Sequence, residues 1–218
     1  SNVYAKNHYC GTKPGDRLLL FLPLFHCFGQ NAVMNNAFNA CATLVLQRSF
    51  NPDASLALVT SENITMFFGV PTIFILLLAR KVPPRALGSV RYLLSAAAPL
   101  PQEIAEQWHA AYGSIINEGY GLTETSPFAC YNHPLQYRAG SVGMPIENVE
   151  VRVVDESGAR LPPGEPGEIV VRGPNVMLGY WGKPEETAAT IRGGWLHTGD
   201  LGTFDEDGYL YVLDRIKD

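Results

Sequence analysis

The chain has 218 residues, a hydrophobic fraction of 46%, a charged fraction of 17% and a formal net charge of −5. That length buries a real core in one large domain or two modest ones, and the composition is that of an ordinary soluble globular protein. A negative balance without any basic block excludes nucleic acid as an expected partner; no apolar run reaches membrane-spanning length and no leader is visible.

Four scattered cysteines, Cys10, Cys27, Cys41 and Cys130, form no C-x-x-C pair and have no histidine at zinc-finger spacing. This predicts reduced thiols and a cytoplasmic setting. The chain opens without an initiating methionine and stops at Arg215-Ile216-Lys217-Asp218, so it reads as a fragment.

In chain order, residues 1–16 read as the tail of a helix and a turn at Lys13-Pro14-Gly15-Asp16. Residues 17–22 form a continuous apolar run, as in a strand buried on both faces, closed by Pro23. Leu24 to Gly29 leads into a helix through about Asn39. A strand over 42–46 follows, then a helix starting at Asn51-Pro52-Asp53. A strand at 65–70 ends at Pro71, and the apolar 72–78 predicts a buried helix. Residues 90–94 predict a strand, 101–112 an amphipathic helix, and Ser114-Ile115-Ile116 a short strand. Strands alternating with helices over 17–118 predict an α/β unit, a parallel sheet flanked by helices, over 1–137. Beyond it, residues 138–214 are dense in Gly and Pro with short strand-like runs at 149–154, 168–172, 195–198 and 209–213. Turns at Asp155 to Gly158 and Asp205 to Gly208 complete the pattern of a small, mostly antiparallel, β-barrel-like subdomain, and Lys183 to Thr187 begins its one short helix.

The chemistry concentrates in Asn117-Glu118-Gly119-Tyr120-Gly121-Leu122-Thr123-Glu124-Thr125. Gly119 and Gly121 let the backbone turn sharply and approach a bound group. Tyr120 offers a flat face for a nucleobase, Thr123 and Thr125 offer hydroxyls, and Glu124 is a hard oxygen ligand suited to Mg²⁺. The plainer reading, a strand ending in a glycine turn with a threonine helix cap, stays open on these residues alone. Position 124 carries Glu where the dinucleotide fingerprint needs a third Gly, so hydride transfer is not supported. In parallel sheets, ligands sit beyond the carboxyl ends of the strands, where His26, Gly69, Ala96-Ala97-Ala98 and Tyr120 all fall.

Leu22-Pro23-Leu24-Phe25-His26, Ala96-Ala97-Ala98-Pro99-Leu100, Gly119 to Thr125, Gly194-Trp195-Leu196-His197-Thr198-Gly199-Asp200 and Asp214-Arg215-Ile216-Lys217 occur in that order. With them the chain resembles the adenylate-forming superfamily of acyl-CoA synthetases, luciferases and peptide-synthetase adenylation domains, and is most similar to fatty-acyl-CoA ligases. The resemblance implies attack of a carboxylate on the α-phosphate of ATP, release of pyrophosphate, and transfer of the acyl group from AMP to coenzyme A. It places residues 1–137 in the large adenylation domain and 215–218 at the start of a hinge to a further C-terminal domain, with Lys217 as the pivot.

The resemblance also implies the roles of single residues. Tyr120 stacks on adenine, with Ala96, Ala97 and Ala98 closing the other face and Glu118, Gly119 and Gly121 completing the wall. Thr123 binds the α-phosphate, Glu124 holds Mg²⁺, Asp200 accepts from the ribose hydroxyls and Arg215 contacts ribose or phosphate. His26 sits at the mouth of the acyl pocket, walled by Phe68 and Gly69. His8, His109, His133 and His197 have no metal-ligand spacing and carry no assignment. The family's Ser/Thr/Gly-rich phosphate loop and its C-terminal catalytic lysine are not in this sequence, which implies that the fragment by itself is inactive. A carrier-protein thiol or oxygen as the acceptor, or a non-catalytic nucleotide- or acyl-binding module, are the alternatives.

Overall fold

Period-two alternation in the apolar strands sorts their side chains into two layers. The structure, a computed structural model, describes residues 8–216. Strands β1 (Arg17–Leu20), β2 (Thr43–Leu46), β3 (Met66–Gly69), β4 (Tyr92–Ser95) and β5 (Ile116–Tyr120) pair in parallel, in the order β2-β1-β3-β4-β5. Two-residue strands β6 (Cys130–Tyr131) and β7 (Met144–Pro145) extend this sheet antiparallel from β5.

Strand order reverses at β1/β3, and right-handed crossovers therefore deliver helices to both faces. Helix α1 is a π-helical segment, Phe28–Asn35, running on as the α-helix Asn36–Asn39. Its Phe28, Ala32, Val33 and Ala37 pack with Leu18, Leu20, Met66, Phe68, Tyr92 and Leu94. On the opposite face α2 (Pro52–Ser61), α3 (Pro71–Ala79) and α4 (Gln102–Tyr112) cover Leu19, Phe67, Leu93 and Ile116 with Val59, Phe74, Leu77 and Trp108. The caps follow the sequence: Asn51 Oδ1 accepts from Ala54 N at 3.0 Å with Pro52 in the first turn, and Gly113 ends α4 at φ 66°.

The β-rich unit is an antiparallel sheet in the order β10-β11-β9-β8, with β12 pairing β11. Its strands are β8 (Glu150–Val154), β9 (Gly167–Arg172), β10 (Ile191–Arg192), β11 (Trp195–Phe204) and β12 (Leu210–Arg215), and α5 (Pro184–Thr190) precedes β10. Val151, Val153, Ile169, Val171, Leu196 and Leu210 join the same core cluster as Tyr120 and Phe128, so the two sheets share one hydrophobic layer.

Three expectations need correction. Helix α3 is not buried all round: Ile75 and Leu76 are 38% and 40% exposed, because only one stripe of a helix on a sheet faces inward. The strand before the signature runs through it: Gly119 and Tyr120 are extended residues of β5, and the turn begins only at Gly121. Strand β11 continues past Thr198 to Phe204 through a bulge between His197 and Leu201. Of the expected N-terminal helix tail, residues 1–7 lie outside the described residues, as does Lys217.

Buried Asp16 ties the N-terminal turn to the sheet. Its carboxylate accepts from Arg91 Nε and Thr65 Oγ1, each at 2.8 Å, from Lys13 N at 2.9 Å, and from Arg91 Nη2. Burial pushes this carboxyl up, but Arg91, the Lys13 N–H and Thr65 together outweigh that and hold it below the usual range. A depressed carboxyl stabilises the fold fully above its unfolded pKa of about 3.9, and that contribution is lost as pH falls through the lower folded value. Asp16→Ala is therefore expected to cost about 3 kcal/mol at pH 7, and its deficit should shrink below about pH 4 in urea melts.

Candidate active site

The loops after β1, β4 and β5 and strands β11 and β12 enclose a cavity of about 610 Å³ at the carboxyl edge of the parallel sheet. It gathers His26, Ala96, Ala97, Ala98, Glu118, Gly119, Tyr120, Gly121, Thr123, Glu124, Asp200 and Arg215, residues spread over 190 positions of sequence. Phe68 and Gly69 do not line it. Phe68 is fully buried against Tyr92, a core position set by the alternation along β3.

On one wall, Tyr120 closes a polar chain. Its hydroxyl donates to Asp200 Oδ2 at 2.7 Å, and Arg215 Nε donates to Asp200 Oδ1 at 3.0 Å. Burial first, and the neighbouring Asp200 carboxylate second, push the Tyr120 phenol far above its ordinary value, so it stays a donor. Each Asp200 oxygen accepts one bond and retains a second lone pair for a ligand hydroxyl.

The position of Asp200 follows from the bulge in β11. Gly199 adopts φ 72°, and its N–H donates to Glu168 Oε1 at 3.1 Å while Glu168 Oε2 meets His197 Nδ1 at 2.7 Å. Thr198 Oγ1 donates to Ile169 O at 2.7 Å and accepts from Asp200 N at 3.1 Å. Glu168 thus turns the strand so that Asp200 faces the cavity.

Glu118 lies on the cavity wall, 5% exposed, with Oε1 unpartnered. Burial pushes its carboxyl up to about 7, partly opposed by the Leu100 N–H. On the same cavity, Ala97 holds φ 73°, a left-handed backbone that a non-glycine residue adopts only under constraint from its surroundings.

The glycines have a different reason from the one expected. A Cβ on Gly121 would stand 1.6 Å from Pro127 O and one on Gly119 2.4 Å from Phe128 Cε1. Neither backbone is left-handed. They are glycine because the chain folds back on itself there, with Ala129 N donating to Tyr120 O at 2.8 Å. Close approach to a ligand is not needed to explain them.

Beyond Gly121 the chain forms a single 3₁₀ turn, Thr123–Thr125. Thr125 Oγ1 accepts from Leu122 N at 2.8 Å and donates to Pro127 O at 2.7 Å, which makes it the turn's internal brace. Thr123 stays exposed, with its hydroxyl 3.6 Å from Cys27 Sγ. His26 is exposed at the rim, Nδ1 accepting from Phe28 N at 3.1 Å. Asn31 Nδ2 donates to Ser126 O at 3.1 Å, joining α1 to the signature loop.

Sequence reasoning missed Glu168, Asn175, Tyr180 and Cys27. Only Cys27 had a local signal, its place beside His26. The other three act through partners tens of residues away.

A family model described as AMP-binding enzyme matches residues 1–181. The chain belongs to the AMP-binding enzyme family. It is 41% identical to a feruloyl-CoA synthase of Amycolatopsis sp over 93% of this chain and 42% of that protein. It is 38% identical to a long-chain-fatty-acid–CoA ligase of Bacillus subtilis (strain 168), covering 100% of this chain and 40% of the relative. In structure it matches ATP-bound MatB from Rhodopseudomonas palustris with a TM-score of 0.94 at 36% identity, over 100% of this chain and 43% of that one. An anthranilate CoA ligase, AuaEII, in complex with anthranoyl-AMP gives 0.92 at 29% identity, over 100% and 43%. The chain therefore spans about 40% of the length of these relatives. Among its described residues the four cysteines are free, and no helix is long and apolar enough to cross a membrane.

Proposed function

We propose that this chain is part of a cytoplasmic ATP-dependent carboxylate–CoA ligase that activates a fatty or other apolar acid as acyl-AMP and passes it to coenzyme A. The convergence of Tyr120, Asp200, Arg215, Thr123 and Glu124 on one cavity carries this reading. Adenine lies between the Tyr120 face and the small Ala96-Ala97-Ala98 loop, the unpartnered Glu118 oxygen accepts a base N–H, and Asp200 takes the ribose hydroxyls beside Arg215. Apolar Phe28, Leu122, Phe128 and Val142 on the same cavity support an apolar acid, with His26 at its rim.

The donor set suits Mg²⁺. The Glu124 carboxylate lines the cavity, and Mg²⁺ is commonly held by one or two carboxylates together with substrate phosphates. Glu124 is that carboxylate. When bound, the ion neutralises charge on the phosphates during displacement at the α-phosphorus. The protein's own part is positioning: Thr123 donates to an α-phosphate oxygen, and Arg215 and Asp200 hold the nucleotide so that the acid meets phosphorus in line.

Carboxylate-dependent ATP–pyrophosphate exchange on the whole protein, with fatty and aryl acids as the panel, tests this. Acid-dependent exchange followed by CoA-dependent release of AMP is the expected result. Exchange without any CoA dependence would reassign the acceptor to a carrier thiol or oxygen. Nucleotide binding with no exchange for any acid would favour a binding module.

A further inference from the structure

Between β9 and α5 the run Gly173-Pro174-Asn175-Val176-Met177-Leu178-Gly179-Tyr180 belongs to no strand or helix, yet it ties down the signature loop through several hydrogen bonds. Asn175, 4% exposed, donates through Nδ2 to Thr125 O at 3.0 Å and to Phe128 O at 2.7 Å. Ser126 Oγ returns a bond to Asn175 O at 2.9 Å, and Met177 N donates to Glu124 O at 2.8 Å. The run ends on Tyr180, whose hydroxyl donates to Glu124 Oε1 at 2.8 Å.

Tyr180 is itself held. Its N–H donates to Thr187 Oγ1 at 2.9 Å, Thr187 Oγ1 donates to Lys183 O at 2.7 Å, and a Cβ on Gly179 would stand 2.8 Å from Thr187 Cγ2. The first turn of α5 is therefore hydrogen-bonded to, and lies close against, the backbone that carries the phenol.

We propose that Tyr180 is a positioning residue for Glu124: its hydroxyl occupies Oε1 and aims Oε2 at the divalent cation that accompanies the nucleotide. The inference rests on the reading of Glu124 as the metal carboxylate. Three features support it. Glu124 rides on an isolated three-residue turn and has three side-chain torsions, so without an external partner its carboxylate samples several directions. Among the described residues no other hydrogen bond or ion pair engages that carboxylate. The partner is a neutral donor. A lysine or arginine there would neutralise the carboxylate and compete with the cation, whereas a phenol orients it and leaves its charge available.

Mn²⁺, read by electron paramagnetic resonance, reports metal binding directly in the whole protein with saturating ATP. In Tyr180→Phe, Mn²⁺ affinity is expected to fall about tenfold, the usual scale for losing a hydrogen bond to a ligating carboxylate. ATP affinity in EDTA and the KM for the acid should stay at wild-type values while kcat drops. Thr187→Val keeps the phenol but unpins its backbone, and should weaken Mn²⁺ binding in the same direction by a smaller factor. It carries the test if Tyr180→Phe fails to fold. Wild-type Mn²⁺ affinity in the folded variant, with affinity lost in Glu124→Ala, overturns the positioning role and leaves the metal role standing. Wild-type affinity in Glu124→Ala as well overturns both.

Discussion

Glu124→Ala is expected to reduce acid-dependent ATP–pyrophosphate exchange by about 100- to 1000-fold, the range for removing one group that stabilises developing charge in a reaction centre. The change deletes the carboxylate that Tyr180 holds at 2.8 Å, whereas the backbone bond from Met177 N to Glu124 O at 2.8 Å is untouched. The turn should therefore survive and the thermal midpoint move little. Wild-type exchange at saturating Mg²⁺ in a folded variant would show that the nucleotide's metal is held without this residue. Loss of exchange with unchanged ATP affinity in EDTA is the expected pattern.

Gly121→Ala is expected to be as damaging for a different reason. The added methyl would stand 1.6 Å from Pro127 O, 2.7 Å from Pro127 C and 3.0 Å from Phe128 Cα, all main-chain atoms that no rotamer change can move aside. The return of the chain from Gly121 to Phe128 must open, with loss of the Ala129 N to Tyr120 O bond and the Thr125 brace. Overpacking of this kind costs about 3 kcal/mol or more. A lower urea midpoint together with lost nucleotide binding would match this, while a variant with wild-type stability would mean the loop repacks freely.

Much of the architecture was legible because it depends on neighbours in sequence. The apolar runs over 17–22, 42–46, 65–70 and 90–94, each followed by helix signals, spelled a parallel sheet with crossovers, and the structure has one. The short pairings were not legible. Two-residue β6 and β7 are too brief for any periodicity, and β11 reads as a strand only to Thr198 because its next residue, Gly199, looks like a turn. It continues because Glu168, 31 positions earlier, takes the Gly199 N–H.

The same division runs through the site. Tyr120, Thr123 and Glu124 stand in one short run whose residue types suit a nucleotide and a cation, so the sequence by itself nominated them, whereas Asp200 entered only through the family resemblance. Their partners could not be nominated, since a tyrosine in Gly179-Tyr180-Trp181 or a glutamate opening a strand has no local feature to mark it. Local patterning decided the strands, the crossover helices, the caps and the candidate ligand groups, because hydrophobic period and capping chemistry act within a few residues. Tertiary structure alone decided which carboxylate oxygen faces which donor, why Gly119 and Gly121 must be glycine, and that Phe68 belongs to the core. Each of those depends on contacts between segments that only the packing of the two sheets brings together.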